Sequence, residues 1–160
     1  MASLDELPFS LRLFLKTYRW RRIDPIPWAE PRKPVAESRV ALISSAGFVL
    51  PGQPPFDRSR RGGDPTHRII AATADVRSLV NTHRSESFDP SGIEIDPNLA
   101  FPIDRMHELE AEGTIGEFSP RAVSVMGSIT APGGLVRDTA PQIAALLLED
   151  GADLVLLVPL

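Results

Sequence analysis

Cysteine is absent from this sequence of 160 residues. Its absence excludes disulfide bonds, thiolate metal sites and a cysteine nucleophile within these residues. Long apolar runs are also missing, since none reaches the roughly 20 residues that a membrane-spanning helix needs. The first six residues are acidic and lack the basic and apolar parts of a secretory signal. We therefore expect a cytoplasmic protein that does not contact the membrane.

Positive charge is scarce in most of the chain, whose net charge is −4. Up to Arg39 there are eight Lys and Arg against five Asp and Glu, and beyond it there are nine against sixteen. An acidic body repels a phosphate backbone, so the charge pattern does not favour nucleic-acid binding. The basic cluster Arg19, Arg21 and Arg22 is typical of a solvated helix end, and contact with an acidic partner is the alternative.

The motifs of several common enzyme classes are missing too. There is no GxGxxG, no GxxxxGK[ST] and no Gly-x-Ser-x-Gly, so nucleotide binding and serine hydrolysis have no specific support. The three histidines do not pair at metal-ligand spacing. Asp104 and His107 share a face of a predicted helix, which is a weak signal, and we predict no metal site.

Two N-terminal segments precede the main domain. Residues 1–22 predict an amphipathic helix, because Ser3 and Glu6 have capping-box spacing and apolar residues recur every three or four positions. That apolar face is expected to dock on the body or on a partner subunit. Residues 23–38 contain four prolines and predict an extended linker.

Residues 39–160 predict an α/β domain with a mainly parallel sheet flanked by helices. Two continuously apolar runs are typical of strands buried on both faces, and Pro or Gly marks the ends of the helices. The region between Gly62 and Asn98 is rich in loops. The predicted strands are Arg39–Ser44, Arg68–Ala72, Leu79–Thr82, Ala122–Met126 and Leu154–Val158, and the predicted helices are Pro102–Glu112 and a segment from Asp138 or Thr139 to Asp150.

A ligand of such a sheet is expected beyond the carboxyl ends of the strands, in the loops after Ser44, Met126 and Val158. The segment Thr82–Glu86 places an imidazole, a guanidinium and a carboxylate in one loop, where functional groups are common. A histidine titrates near neutral pH and an arginine binds a carboxylate with two hydrogen bonds. A loop held together by its own ion pairs is the alternative.

Seven blocks of this sequence resemble, in order and spacing, the selenoprotein subunits of the glycine, sarcosine, betaine and D-proline reductases (the selenoprotein B-like family). The resemblance extends from about Val40 to Leu160, and the N-terminal helix is an addition to it. The blocks are Val40–Gly47, Gly52–Asp57, Gly63–Arg68, Thr82–His83, Phe101–Arg105, Glu112–Gly116 and Asp150–Pro159.

The resemblance implies an oxidoreductase of the amino-acid reductase type, which cleaves a carbon–nitrogen bond reductively. In that family a selenocysteine, or a cysteine in its place, is the nucleophile, because a selenol is ionised at neutral pH. Companion subunits carry a pyruvoyl group that holds the amine, and dithiols supply electrons. On this basis His83 and Arg84 are expected to bind a carboxylate substrate, with Asp104 and Arg105 bracing their loop.

The family's nucleophile follows a Val-Pro pair, so it is expected just after Leu160, and no catalytic nucleophile is present here. Either a selenocysteine codon was read as a stop, or the chain is a short homologue that works as a partner subunit. Because an apolar strand ends the sequence, the sheet looks incomplete at its C-terminus. We expect an oligomer with other reductase subunits or a second protein chain. The alternatives are a non-catalytic partner subunit and a small-ligand-binding module.

Overall fold

A computed structural model describes residues 6–18, 22–85 and 89–160. The chain divides into two compact units, Met1–Glu30 and Pro31–Leu160. Among the described residues, no helix combines the length and apolar character needed to cross a membrane. The domain borders drawn from the sequence remain a prediction.

In the described part of the first unit, helix α1 spans Phe9–Thr17. The N–H of Tyr18 donates to the carbonyl of Phe14, and the two rings lie 5.4 Å apart between centroids. Tyr18 has extended backbone angles, so the helix ends before the predicted stop near residues 20–22. Ser3 and the residues Arg19 and Arg21 of the basic cluster lie outside the described residues.

The second unit contains a five-stranded sheet and a separate two-stranded ribbon. In the larger sheet, β1 pairs in parallel with β7 from Val40 to Ser44, with β5 near its start and with β6 near its end. A strand has two edges, so β5 and β6 share the edge of β1 that β7 leaves open. The strands are β1 Arg39–Ser44, β2 Phe48–Val49, β3 His67–Ala71, β4 Val80–Asn81, β5 Glu117–Phe118, β6 Arg121–Val125 and β7 Leu154–Val158.

The sheet is mixed, and the prediction of a mainly parallel sheet is therefore wrong. Strand β3 runs antiparallel to β6, with His67 opposite Val125 and Ala71 opposite Arg121. The connection explains this direction: the chain leaves β1 at its carboxyl end and enters β3 at that same end of the sheet. A parallel β3 would require the chain to return to the amino ends of the strands, and the loop of residues 50–66 does not do so.

Helices cover both faces of the sheet. Helix α4 packs its Ile143 and Leu147 against Ala41 and Val123 on one face. The other face is covered by a larger core that contains Leu42, Ile70, Phe101 and Met106, the last from α3. The helices of this unit are α2 Ser91–Ile95, α3 Ile103–Ala111 and α4 Ala140–Glu149, with a π-helical turn at Leu135–Thr139 and 3₁₀ turns at Val35–Glu37, Val76–Ser78 and Pro97–Leu99.

The amino ends of the strands are closed by ion pairs. Arg39 contacts the Glu117 carboxylate at 2.6 Å and also donates to the carbonyl of Asp150. Lys33 lies 2.9 Å from the Asp153 carboxylate, which also accepts from the N–H of Arg39. These contacts join the starts of β1, β5 and β7 at this end of the sheet.

Candidate functional site

The carboxyl ends of β1, β6 and β7 converge on one small region. Ser45 follows β1, and its hydroxyl accepts from the N–H of Leu160 at 2.8 Å and lies 3.3 Å from the backbone oxygen of the same residue. The Ser45 N–H donates to the carbonyl of Val158 at 3.0 Å. Gly127 follows β6, and a Cβ placed on it would lie 3.0 Å from the backbone oxygens of Ser45 and Leu160. The three loops predicted to border the site thus meet.

The His83 imidazole completes this region. A Cβ on Gly127 would lie 2.5 Å from its Nε2 atom, and a Cβ on Gly47 would lie 3.2 Å from its backbone N and Cα. Gly47 has a φ of +68°, which glycine adopts without strain. Thr82 fixes the approach, because its hydroxyl donates to the carbonyl of Gly47 at 2.6 Å. Glycine at both positions is what allows the His83 segment to reach the strand ends.

The neutral form of His83 is favoured by its surroundings. Its side chain is buried, with the residue 7% exposed, and burial lowers its pKa below the ordinary value, as does the positive charge of Arg58. Its Nδ1 accepts a hydrogen bond from the N–H of Ser85 at 3.2 Å. In a neutral ring the proton therefore sits on Nε2, the atom that lies against Gly127.

Two arginines lie near His83, Arg84 as the next residue and Arg58 from another loop. Arg84, half-buried, donates from Nη1 to the carbonyl of Arg60 at 2.9 Å. Arg58 is close enough to His83 to influence its pKa. A guanidinium has five N–H groups, so one bond to a carbonyl leaves Arg84 with capacity to bind an anion. The site therefore combines a neutral donor with positive potential, which suits a carboxylate.

The loop that carries Arg58 and Arg60 is held by buried Asp64. This carboxylate accepts from the N–H of Asp57 at 2.9 Å and from the hydroxyl and N–H of Thr66. Burial raises the pKa of Asp64, but these hydrogen bonds outweigh it and the pKa lies below the ordinary value. An ionised Asp64 thus fixes the position of the arginines by bonds to the backbone.

Asp104 and Arg105 have partners on their own segment. Asp104 accepts from the side-chain amide of Asn98 at 2.9 Å, and its N–H donates to the Asn98 side-chain oxygen at 3.1 Å. Arg105 pairs with Glu108 at 2.7 Å on the exposed side of α3. These bonds join α3 to the turn before it. A role for the two residues at the His83 loop remains a prediction.

The histidines and acidic residues of the described ranges form no group of three or more that could hold a metal ion. Nε2 of His107 bonds to the carbonyl of Ala72 at 2.9 Å, so His107 and Asp104 have separate partners. Glu86, the carboxylate of the predicted functional loop, lies outside the described residues.

Sequence reasoning singled out His83, Arg84 and the loops at the strand ends, but it did not single out Arg58 or assign Ser45 a role. Arg58 influences His83 across 25 positions of chain, and no local pattern signals that. Ser45 is one of several serines, and only the position of Leu160 beside it shows what its hydroxyl does.

Comparison with known proteins agrees with the resemblance noted in the sequence. A profile of the family described as glycine/sarcosine/betaine reductase selenoprotein B matches residues 9–159. No solved structure matches the chain significantly.

Curated relatives are reductase subunits. The chain is 32% identical over 136 residues to the D-proline reductase subunit gamma of Acetoanaerobium sticklandii, which covers 84% of this chain and 54% of that protein. It is 31% identical over 136 residues to the sarcosine reductase complex component B subunit beta of Peptoclostridium acidaminophilum, covering 84% and 30%. It is 26% identical over 140 residues to the glycine reductase complex component B subunit gamma of Symbiobacterium thermophilum, covering 88% and 32%. The chain thus spans about half the length of the first relative and about a third of the other two.

Proposed function

The chain belongs to the glycine/sarcosine/betaine reductase selenoprotein B family, and from this premise we propose that it forms the substrate-binding part of a reductase complex. The proposed reaction is reductive cleavage of the carbon–nitrogen bond in glycine, an N-methylated glycine or D-proline. Relatives named as glycine, sarcosine and D-proline reductase components support this reaction class. The complex would work in the cytoplasm with other reductase subunits.

The observation that carries the proposal is the position of His83 at the converging strand ends. Its Nε2 atom lies against Gly127, the positive charge of Arg58 acts on the ring, and Arg84 follows His83 in the chain. All the proposed substrates carry a carboxylate. His83 and Arg84 would together bind the carboxylate, with Arg84 donating through its remaining N–H groups. Asp104 and Arg105 would brace this region from α3.

In this family a selenocysteine or cysteine supplies the nucleophile, and a pyruvoyl group on a companion subunit holds the substrate amine. The residues of this chain would position the segment that carries the nucleophile. Ser45 holds the backbone of Leu160 at both its N–H and its oxygen, beside Gly127 and close to His83. A residue joined to Leu160 would therefore emerge next to the bound carboxylate, which is where the nucleophile is expected.

The test is substrate binding to the reductase complex that contains this chain. Glycine, sarcosine, betaine and D-proline would be titrated by calorimetry into the parent complex and into complexes with His83→Gln or Arg84→Gln. We expect each substitution to weaken binding of the preferred substrate by roughly tenfold or more, because each removes a hydrogen bond to a charged group.

Arg77→Gln is the matched control, since it removes one exposed positive charge from a 3₁₀ turn outside the site. The control is expected to bind as the parent does. Substrate affinities in the His83 and Arg84 variants that equal the Arg77 control would refute the assignment of this site.

A non-catalytic partner subunit is the second candidate, and the exposed apolar side chains of β7 favour it. Val155, Leu156 and Leu157 are all exposed although β7 is a strand of the main sheet. Purification from the native host separates the two functions. A polypeptide with selenium or cysteine beyond Leu160 supports the enzyme, whereas a stable 160-residue chain in a hetero-complex supports the partner subunit.

A further inference from the structure

Positive charge in the acidic body is concentrated beside the His83 site. The residues beyond Arg39 carry nine Lys and Arg against sixteen Asp and Glu. Residues 57–68 together with Arg84 hold five of the nine positive charges and only two of the sixteen negative ones, which gives +3. The other four positive and fourteen negative charges give −10 for the rest of the body. The five arginines are Arg58, Arg60, Arg61, Arg68 and Arg84.

Three of these residues, Arg58, Arg60 and Arg61, form an exposed arginine loop. The carboxylate of Asp57, which precedes them, accepts from the hydroxyl and the N–H of Ser59. Among the described residues none of the three arginines forms an ion pair. Five other basic residues of the same unit do pair with carboxylates, namely Lys33, Arg39, Arg105, Arg121 and Arg137.

The arginine loop is positioned by hydrogen bonds and close packing. Asp64 accepts from the N–H of Asp57 at 2.9 Å, and the N–H of Ala131 donates to the carbonyl of Gly62 at 3.0 Å. Gly62 and Gly63 have φ values of +87° and +96°, and a Cβ on Gly62 would lie 2.6 Å from the Cβ of Ala131. A surface that is already formed loses little conformational entropy when it binds a ligand.

The arginine loop adjoins the site but carries more positive charge than a substrate needs. The carbonyl of Arg60 accepts from Nη1 of Arg84 at 2.9 Å, so the loop borders the residues proposed to bind the substrate. Glycine, sarcosine, betaine and D-proline each have one carboxylate and one cationic nitrogen. His83 and Arg84 account for the carboxylate, and further arginines would repel the cationic nitrogen. The loop is therefore suited to a different and more acidic ligand.

We propose that the arginine loop binds an acidic face of a companion protein of the reductase complex, which docks reversibly beside the strand ends. Guanidinium groups of the loop would each bind a carboxylate of that protein with two hydrogen bonds. The inference rests on the proposed function in one respect, that the chain works with other proteins of a reductase complex.

A reversible protein contact fits this surface better than a permanent cover or a nucleic acid. Over residues 57–68, all of which the structure describes, no large apolar side chain is exposed. A segment of the same polypeptide folded permanently onto the loop would desolvate charges and bury little apolar area in return. Exposed charges act mainly on the rate and specificity of encounter between proteins. The charge of −10 on the rest of the body repels a phosphate backbone.

Carbodiimide cross-linking of the reductase complex that contains this chain tests the contact. Arg61→Lys keeps the positive charge and introduces an amine, which carbodiimide joins to a carboxylate in direct contact with it. We expect mass spectrometry to identify a peptide of a companion protein that is rich in Asp and Glu. The yield should fall as salt is added, because salt screens exposed charges.

Arg77→Lys is the matched control for this experiment. Arg77 is also exposed and, within the described ranges, also forms no ion pair, but it lies in a 3₁₀ turn outside the site. Three results would overturn the proposal: cross-links only to this chain's own polypeptide, cross-links to a nucleic acid, or a yield no higher than that of the control.

Charge reversal gives a second measurement, made with the companion protein that cross-linking identifies. Arg61→Glu should slow the association of that protein by roughly threefold or more at about 20 mM salt, and the difference should shrink at about 300 mM. Arg77→Glu should associate at the parent rate. Equal rates for Arg61→Glu and the parent at low salt would count against the arginine loop as the docking surface.

The two proposals fail in different ways. Substrate binding depends on His83 and Arg84 and is measured without the Arg61 variants. A complex that binds substrate but gives no cross-link from Arg61→Lys would retain the function and remove the acidic contact. A cross-link to a companion protein would stand even if substitution of His83 left substrate affinity unchanged.

Discussion

Gly127 is the residue with the least space for a side chain among those that form the site. A Cβ there would meet the imidazole of His83 at 2.5 Å and two backbone oxygens at 3.0 Å. The backbone oxygens belong to Ser45 and Leu160, which are held by hydrogen bonds and cannot easily move. Adding one methyl group would therefore push apart the strand ends that define the site.

We predict that Gly127→Ala destabilises the chain by about 1–3 kcal/mol, the usual cost of overpacking a closed region. The measurement is the free energy of unfolding in urea. The same substitution should weaken substrate binding, because the alanine methyl would displace the His83 ring from its position.

Gly133→Ala is the matched control for this prediction. A Cβ on Gly133 would have no neighbour within 4 Å, so its substitution should leave stability within about 1 kcal/mol of the parent or raise it slightly. Equal unfolding free energies for the Gly127 and Gly133 variants would show that the strand ends are not closely packed around Gly127.

Residue types in one loop led us to predict His83 and Arg84 as substrate-binding residues, because functional groups are common in loops. Proximity across the fold was not predictable. The influence of Arg58 on His83 depends on how the Asp64 hydrogen bonds fold the loop of residues 57–66. The sequence likewise carries no signal that the ring of His83 would lie against Gly127.

At the scale of elements, continuous apolar runs predicted best. The bounds of β1 and β7 are those predicted. Burial of β1 fits its apolar run, but the prediction that β7 is buried on both faces is wrong, because Val155, Leu156 and Leu157 are exposed. Helix α3 begins and ends within one residue of its predicted limits, owing to Pro102 at its start and Gly113 beyond its end.

Elements whose form depends on tertiary contacts were not predicted. Strands β2 and β5 have two residues each, too short for a periodic pattern. The direction of β3 depends on the end of the sheet at which its loop enters, and no pattern in the residues of β3 predicts that direction. The π-helical turn at Leu135–Thr139 begins before the predicted start of α4. The carbonyl of Pro132 already accepts a helical hydrogen bond from the N–H of Val136.

Because β1, β6 and β7 end at the same place, the structure predicts the pKa of a thiol attached after β7. The chain has no cysteine, so one cysteine appended after Leu160 would be the only thiol present. We predict that its pKa lies below the ordinary value of about 8.5, because the nearby His83 imidazole and the charge of Arg58 stabilise a thiolate. The rate of alkylation by iodoacetamide as a function of pH measures it.

Variants of His83 and Ser45 show whether the position of the appended cysteine lowers its pKa. His83→Gln and Ser45→Ala should each raise the thiol pKa toward its ordinary value, the first by removing a donor and the second by releasing Leu160. A cysteine in place of Ile95, on exposed α2, supplies the reference profile. If the appended thiol titrates like that reference, Leu160 is not held beside His83.

At the scale of the whole molecule, the dependence of folding stability on pH combines the titration of histidines and of carboxyl groups. Two histidines have lowered pKa values. Burial followed by Arg58 causes the shift at His83, and burial followed by Arg68 causes it at His67. The carboxyl groups with lowered pKa, such as Asp64 and Asp153, titrate below their ordinary value of about 3.9. The two sets therefore act in separate pH ranges.

The sign of the histidine effect follows from linkage. In the folded chain these two histidines bind protons less readily than in the unfolded chain, where the pKa is about 6.5. Below that pH the unfolded state takes up more protons, so stability decreases as pH falls from about 7 toward 5. His83→Gln and His67→Gln should each reduce this decrease, and the double variant should reduce it further. Urea unfolding at a series of pH values between 7.5 and 5 measures the slope. The carboxylates contribute little in that range, so a slope unchanged in the double variant would mean that neither histidine is held in its neutral form by the fold.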